Sequence, residues 1–192
     1  MNLMTLLRPT FFVATIASFV LTTMTYIVYY PQLEMSQSRN KLAQKHQAEH
    51  GTIFYNQLHH RRKLTDWQNR EVVRPNNDTL YSSAWIDLSL SKEPLVLTIP
   101  EAKNRYYSYQ FLAMDTEVFL ILGSRKQQSG HFVLASEQWQ GELPAGAERV
   151  NLPNSTVWLL ARYLVKGDDD LVNVHRLQNA IGLQRLSDFT AR

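Results

Sequence analysis

The sequence predicts a mainly β protein: an antiparallel β-sandwich or barrel-like domain, preceded by a transmembrane helix and followed by a short C-terminal helix. Three observations carry this reading. Phe11 to Tyr30 contains no charge, proline or glycine. Between Thr79 and Val165, short apolar runs are separated by turn-forming clusters. Beyond Gly167, an acidic triplet opens a segment suited to a helix ending near Ala180.

At roughly 1.5 Å of rise per residue, the Phe11–Tyr30 segment spans about 30 Å as a helix, the thickness of a bilayer core. Thr15, Ser18, Thr22, Thr23 and Thr25 lie inside it. Their hydroxyls can return a hydrogen bond to a carbonyl one turn back, which makes them tolerable in lipid. Tyr26, Tyr29 and Tyr30 stand where an aromatic belt meets the headgroups, and Pro31 marks a stop. A cleaved signal peptide fits less well, because the apolar stretch is long and no Ala-x-Ala follows it. A lipoprotein is excluded by the lack of cysteine, which also removes disulfides and thiolate chemistry. Arg8 and the α-amino group precede the helix, and Arg39, Lys41 and Lys45 follow it. That margin is too small for the distribution of positive charge to orient the chain.

Gln32 to Glu49 is polar and reads as a juxtamembrane helix or stalk broken at Gly51. A short helix is expected over Ile53–Leu64. The domain organisation is therefore an anchor over 1–31, a stalk over 32–52 and one β-rich domain over 53–192. About 130 residues support one core, not two. Strands are expected over Thr79–Leu88, Leu95–Ile99, Tyr106–Leu112, Glu117–Leu122, His131–Ala135 and Val157–Val165. Lys103-Asn104, Ser129-Gly130, Pro144-Ala145-Gly146 and Pro153-Asn154 supply turns between them. Asp168 or Asp169 is placed to cap the closing helix.

The net charge of +3 is small and its signs are interspersed, which argues against a nucleic-acid-binding stripe. His46-Gln47-Ala48-Glu49-His50 has the H-x-x-E-H spacing of a zinc site, but it falls on a polar stalk without an enclosing core, so no metal is expected. No calcium-loop spacing surrounds Asp168-Asp169-Asp170, and no cofactor fingerprint is present. His59 to Lys63 reads as a solvated basic loop, with contact to anionic headgroups as the alternative. The densest polar constellation is Arg74-Pro75-Asn76-Asn77-Asp78, followed by Tyr81. Such a set orders a loop through Asx turns and ion pairs, or lines a ligand pocket at the mouth of a β-domain. Loop ordering is the commoner use.

The run Val72-Val73-Arg74-Pro75-Asn76-Asn77-Asp78-Thr79-Leu80-Tyr81-Ser82-Ser83-Ala84-Trp85-Ile86-Asp87-Leu88-Ser89 resembles the signature of the bacterial domain of unknown function 1254 family. Asn104-Arg105-Tyr106-Tyr107 is similar to its Gly-Arg-Tyr-Tyr element, and Asn56-Gln57-Leu58 with His60 to its lead-in. Lys92-Glu93-Pro94, Pro153 to Arg162 and Asp170 to Gln178 resemble later segments. The resemblance implies a β-rich domain that is commonly exported. It also implies a companion, a domain of unknown function 1214, on the same chain or encoded nearby. With this chain ending at Arg192, a separately encoded partner is expected. One difference stands out: Gly123-Ser124-Arg125 runs on into Lys126-Gln127-Gln128, where the family often has a Thr-Thr-Gly-like stretch.

Two functions follow as expectations. The first is a binding or assembly subunit, anchored by a single pass in the inner membrane with its domain in the periplasm, acting with that partner and with room for a small-molecule ligand. The second is a hydrolase or hydrolase subunit with Arg74, Asn76, Asp78, Tyr81 and Tyr107 lining the site. Asp78 would then be base or orienter, and Arg74 would stabilise developing negative charge.

Overall fold

The computed structural model describes residues 3–51, 54–65 and 76–189, and the side chains of 3–9 and 50 are not among them. Helix α1 runs Leu3–His50 as one element of 48 residues. It is long and apolar enough to cross a membrane. Its threonines behave as lipid requires: Thr15, Thr22, Thr23 and Thr25 donate to the carbonyls of Phe11, Ser18, Phe19 and Leu21 at 2.8–2.9 Å. Tyr26 and Tyr30, one turn apart, have ring centroids 4.8 Å apart. The expected stop at Pro31 is corrected. Anchor and stalk form one helix, because a proline removes a single backbone bond and the strong helix formers of the stalk carry the chain onward. The break comes at Gly51, whose φ of 65° suits a residue without Cβ.

The domain is a sandwich of two sheets. Nine strands lie among the described residues: β1 (His59–His60), β2 (Thr79–Asp87), β3 (Leu95–Ile99), β4 (Tyr107–Leu112), β5 (Val118–Gly123), β6 (Gly130–Ser136), β7 (Ala147–Leu152), β8 (Thr156–Leu164) and β9 (Gly182–Arg185). One sheet has the order β1-β2-β8-β4-β5 and the other β7-β6-β3-β9. Their facing side chains make the core: Leu80, Ile86, Phe111 and Leu159 from the first, and Leu97, Ile99, Phe132 and Leu134 from the second. Tyr109 and Tyr163 are buried there and satisfy each other through a hydroxyl–hydroxyl hydrogen bond. Burial pushes both phenols well above their ordinary range. Asp87 caps the short helix α2 (Leu88–Ser91) by accepting from the Ser89 amide at 2.9 Å.

The sheets are mostly antiparallel, as expected; the exception is β6 and β7, which pair in parallel after the chain between them crosses back. Two expectations need correction. Residues 54–64 are not a helix. They approach the sheet, where Asn56 brackets Asp87 with two hydrogen bonds, and pair at β1. The acidic triplet forms a 3-10 turn before helix α3 (Leu171–Ala180), and Asp170 at its N-cap makes no side-chain bond to a helix amide. Its carboxylate takes the Arg105 guanidinium at 2.5 and 2.6 Å instead.

The outer faces of the sheets differ. On the four-stranded sheet, Val96, Val133 and Ala135 are covered by Trp139, Leu186 and Phe189. On the five-stranded sheet the outer face carries half-buried and exposed apolar side chains, and the candidate site lies there.

Candidate functional site

Alternation along β2 sends Leu80, Ala84 and Ile86 into the core and Tyr81, Ser83 and Trp85 to the outer face. In β8 the outward set is Trp158, Leu160 and Arg162, and in β4 it is Ser108, Gln110 and Leu112. Cross-strand contacts confirm the shared face. Trp85 lies directly opposite Trp158 and stacks on it at 5.7 Å. Arg162 lies over the Tyr81 ring, 5.7 Å from its centroid, and donates to Gln110 Oε1 at 2.8 Å.

Arg162 is the chemically distinctive residue of this face. Its Nε is buried and without a hydrogen-bond partner. The ion pairs among the described residues are Lys45–Glu49, Lys103–Glu101 and Arg105–Asp170, and none of them includes it. It is also the only charge in the otherwise apolar and hydroxylic run of β8. That was the available signal: a lone arginine at an outward position of a central strand. In the sequence it stands at the end of the Pro153 to Arg162 segment that resembles the family.

Arg162 pairs in register with Ser108, and Ser108 pairs with Gly123. The row crosses from Tyr81 through Arg162 and Ser108 to Gly123. Gly123 is demanded by proximity, since a Cβ there would stand 2.5 Å from the Tyr107 carbonyl oxygen. Above Ser108 and Gly123 lies a cavity of about 320 Å³, bordered by Tyr106, Gln110, Ile121, Arg125 and Lys126. A second, more polar cavity of about 460 Å³ adjoins it through Tyr107 and Ser124, and Lys103, Arg105, Gln127 and Ser129 line it too. The loop that departs from the family pattern, Ser124 to Gln128, thus borders both.

The residues singled out in the sequence are dispersed. Arg74 lies outside the described residues. Asn76 makes an Asx turn, its Oδ1 accepting from the Asp78 amide at 3.1 Å, and the Asp78 carbonyl accepts from Val165 N at 2.7 Å. Both bonds order the loop into β2. Tyr81 lies on the outer face beneath Arg162. Tyr107 points the other way, stacks on Tyr163 at 6.1 Å and donates its hydroxyl to the Gln128 carbonyl at 3.0 Å. Burial, with the Glu101 charge, raises its pKa. Tyr81 and Tyr107 therefore serve opposite faces of one sheet.

The basic run at His59–Lys63 is built into the fold rather than solvated throughout. His60 Nδ1 meets Ser82 Oγ at 2.8 Å. Gln178, fully buried in α3, donates to Ser82 Oγ and to the carbonyls of Tyr81 and Arg61. Arg62 donates to the His175 carbonyl and to Gln178 Oε1, both at 3.2 Å. Burial, then the charges of Arg62 and His59, lowers His60 to about 4. A serine beside a histidine has the outline of a nucleophile and base, but Ser82 is only 1% exposed and bonded from two sides. This group fastens α3 to the sheet edge. In α1, His46 of the H-x-x-E-H run lies against the rings of Phe54 and His59. No group of three or more His, Asp or Glu among the described residues is arranged to hold a metal ion.

The crystal structure of the VPA0106 protein from Vibrio parahaemolyticus is similar over 85% of this chain, with a TM-score of 0.66 and 24% identity. That likeness concerns the fold, and this chain spans 37% of the length of that one. No curated protein matches. The family described as proteins of unknown function, DUF1254, matches residues 55–185. With the larger part of the chain covered, from the approach to β1 through β9, this protein belongs to the DUF1254 family.

Proposed function

We propose that this protein is a membrane-anchored binding and assembly subunit, whose β-domain docks a separately encoded β-rich partner of the domain 1214 type. The reading places α1 in the inner membrane and the domain in the periplasm. The observation that carries it is the exposed apolar surface on the outer face of the five-stranded sheet, toward its β4–β5 edge. There Ile121 is 51% exposed, Val118 45% and Tyr106 44%, while the opposite outer face is sealed by its own chain. Exposed apolar surface of this kind, on a face where an arginine lies over an aromatic ring, has the composition of an interface centre. The greater length of the Vibrio protein is compatible with the reading, since this chain spans only 37% of it.

The test is a pull-down of tagged full-length protein in mild detergent, compared with Ile121→Glu. A β-rich partner recovered in equal amount with the parent protein, and lost with Ile121→Glu, supports the reading. Recovery of the folded, monodisperse protein alone overturns it.

A further inference from the structure

We propose that the trough running from Arg162 across Ser108 to Gly123 is a binding site for an organic acid, whose carboxylate pairs with Arg162 and whose apolar body lies along the trough. The inference concerns the chain by itself and does not depend on the partner reading.

The trough follows from register. Adjacent strands stand about 4.8 Å apart, so the row from Arg162 to Gly123 extends about 10 Å. Ser108 brings a short side chain to that row and Gly123 none. A row of this composition forms a channel where larger residues would form a ridge. Over Ser108 and Gly123 the trough opens into a cavity of about 320 Å³ bordered by Tyr106, Ile121 and Gln110; Arg162 is not one of its walls and is linked to it through Gln110. That volume suits a small organic molecule.

The charge preference follows from Arg162. Nε and Nη2 share one edge of the guanidinium and present two roughly parallel donors. Gln110 Oε1 fills the Nη2 position, while Nε has no partner. A single amide oxygen satisfies one donor, whereas a carboxylate satisfies both in the bidentate arrangement that makes such pairs strong. A cation partly withdrawn from water and without a counter-ion among the described residues also gains more from an anion than an exposed one does. Gln110 therefore occupies the position the carboxylate takes, and swings aside when it binds. Arg125, which lines the cavity, adds positive charge to its wall.

The test titrates the full-length protein in detergent with hexanoate and with hexanamide, its uncharged match, reading saturation-transfer NMR on the small molecule and the thermal midpoint of the protein. Hexanoate is expected to bind saturably and hexanamide not. Gln110→Glu gives Arg162 a resident carboxylate. It should weaken hexanoate at least about tenfold while raising the thermal midpoint. Arg162→Gln should also abolish binding, and if that variant fails to fold, Gln110→Glu still decides because it keeps the guanidinium. Absence of saturable hexanoate binding, equal binding of hexanamide, or unchanged hexanoate affinity in Gln110→Glu overturns the proposal. The pull-down bears only on the partner, so the two readings fail separately.

Discussion

Two arginines sit near the same end of the five-stranded sheet and are treated in opposite ways. Arg105 is clasped: Asp170 accepts from both of its terminal nitrogens, the Leu164 carbonyl accepts from Nη1, and both side chains of the pair are 11% exposed. Asp170 is itself held by the Lys166 amide and by Asn173. Arg162 has one amide oxygen and a tyrosine face. The first arrangement closes on itself and belongs to stability. The second leaves hydrogen-bonding capacity unused, which the folded chain alone has no reason to keep.

Substitution separates the two. Arg105→Ala strands a largely buried carboxylate and should cost about 3–5 kcal/mol, read as a lower urea midpoint with unchanged slope. The same clasp sets an acid limit. Arg105, through its hydrogen bonds, holds the Asp170 carboxyl below the usual range, outweighing the opposing effect of burial. Its contribution is present above about pH 4 and is lost as pH falls below that value.

Gly123→Ala should cost about 2 kcal/mol, because the new Cβ meets the Tyr107 carbonyl and the β4–β5 strands must part. The loss is steric, with no contribution from the extended backbone there. A thermal melt showing no loss would mean that the trough floor can give way.

Next is a pH effect in the fastened region of α3. His60 is lowered to about 4, so between its unfolded pKa near 6.5 and that value the unfolded chain takes up a proton that the folded one refuses. Stability should fall as pH drops through that window and take no further loss from this group below it. His60→Gln should flatten the slope of the midpoint against pH, and an unchanged slope would place the titration elsewhere.

The smallest effect is expected at Arg162. Arg162→Met should change stability by under about 1 kcal/mol, or raise it, since the charge has no ionic partner among the described residues. A loss comparable to that of Arg105→Ala would show that Arg162 is structural, and the comparison would collapse.

Much of the sandwich was legible in the sequence because β2, β3, β4, β5, β6 and β8 carry dense apolar alternation between turn signals. β7 was not, because Ala147-Glu148-Arg149-Val150-Asn151-Leu152 buries only Val150 and Leu152 and exposes polar residues at the sheet edge. β9 is four residues, the last two of them exposed, and β1 is a two-residue pairing that depends on β2 being in place. The site was harder still. Asn76 and Asp78 are conspicuous because they are polar and adjacent, yet their observed bonds are those of a turn. Arg162, Ser108 and Gly123 come from three separate strands, and only register brings them into one row. Tyr81 and Tyr107 looked alike in sequence, but strand phase sends them to opposite faces.

The uninterrupted α1 makes distance and heading countable in residues. Its 48 residues extend about 72 Å, of which a bilayer core would take up about 30 Å. Arg39 over Tyr55, and His46 against Phe54 and His59, tie its last turns to the start of the domain. Each residue inserted into the stalk would lift the domain by about 1.5 Å and turn it by about 100°. Seven would lift it about 10 Å yet return its heading to within about 20°. A membrane-bound neighbour that must meet one particular face of this domain would then tolerate insertions of seven residues and reject those of two, so the stalk acts as both a ruler and a crank.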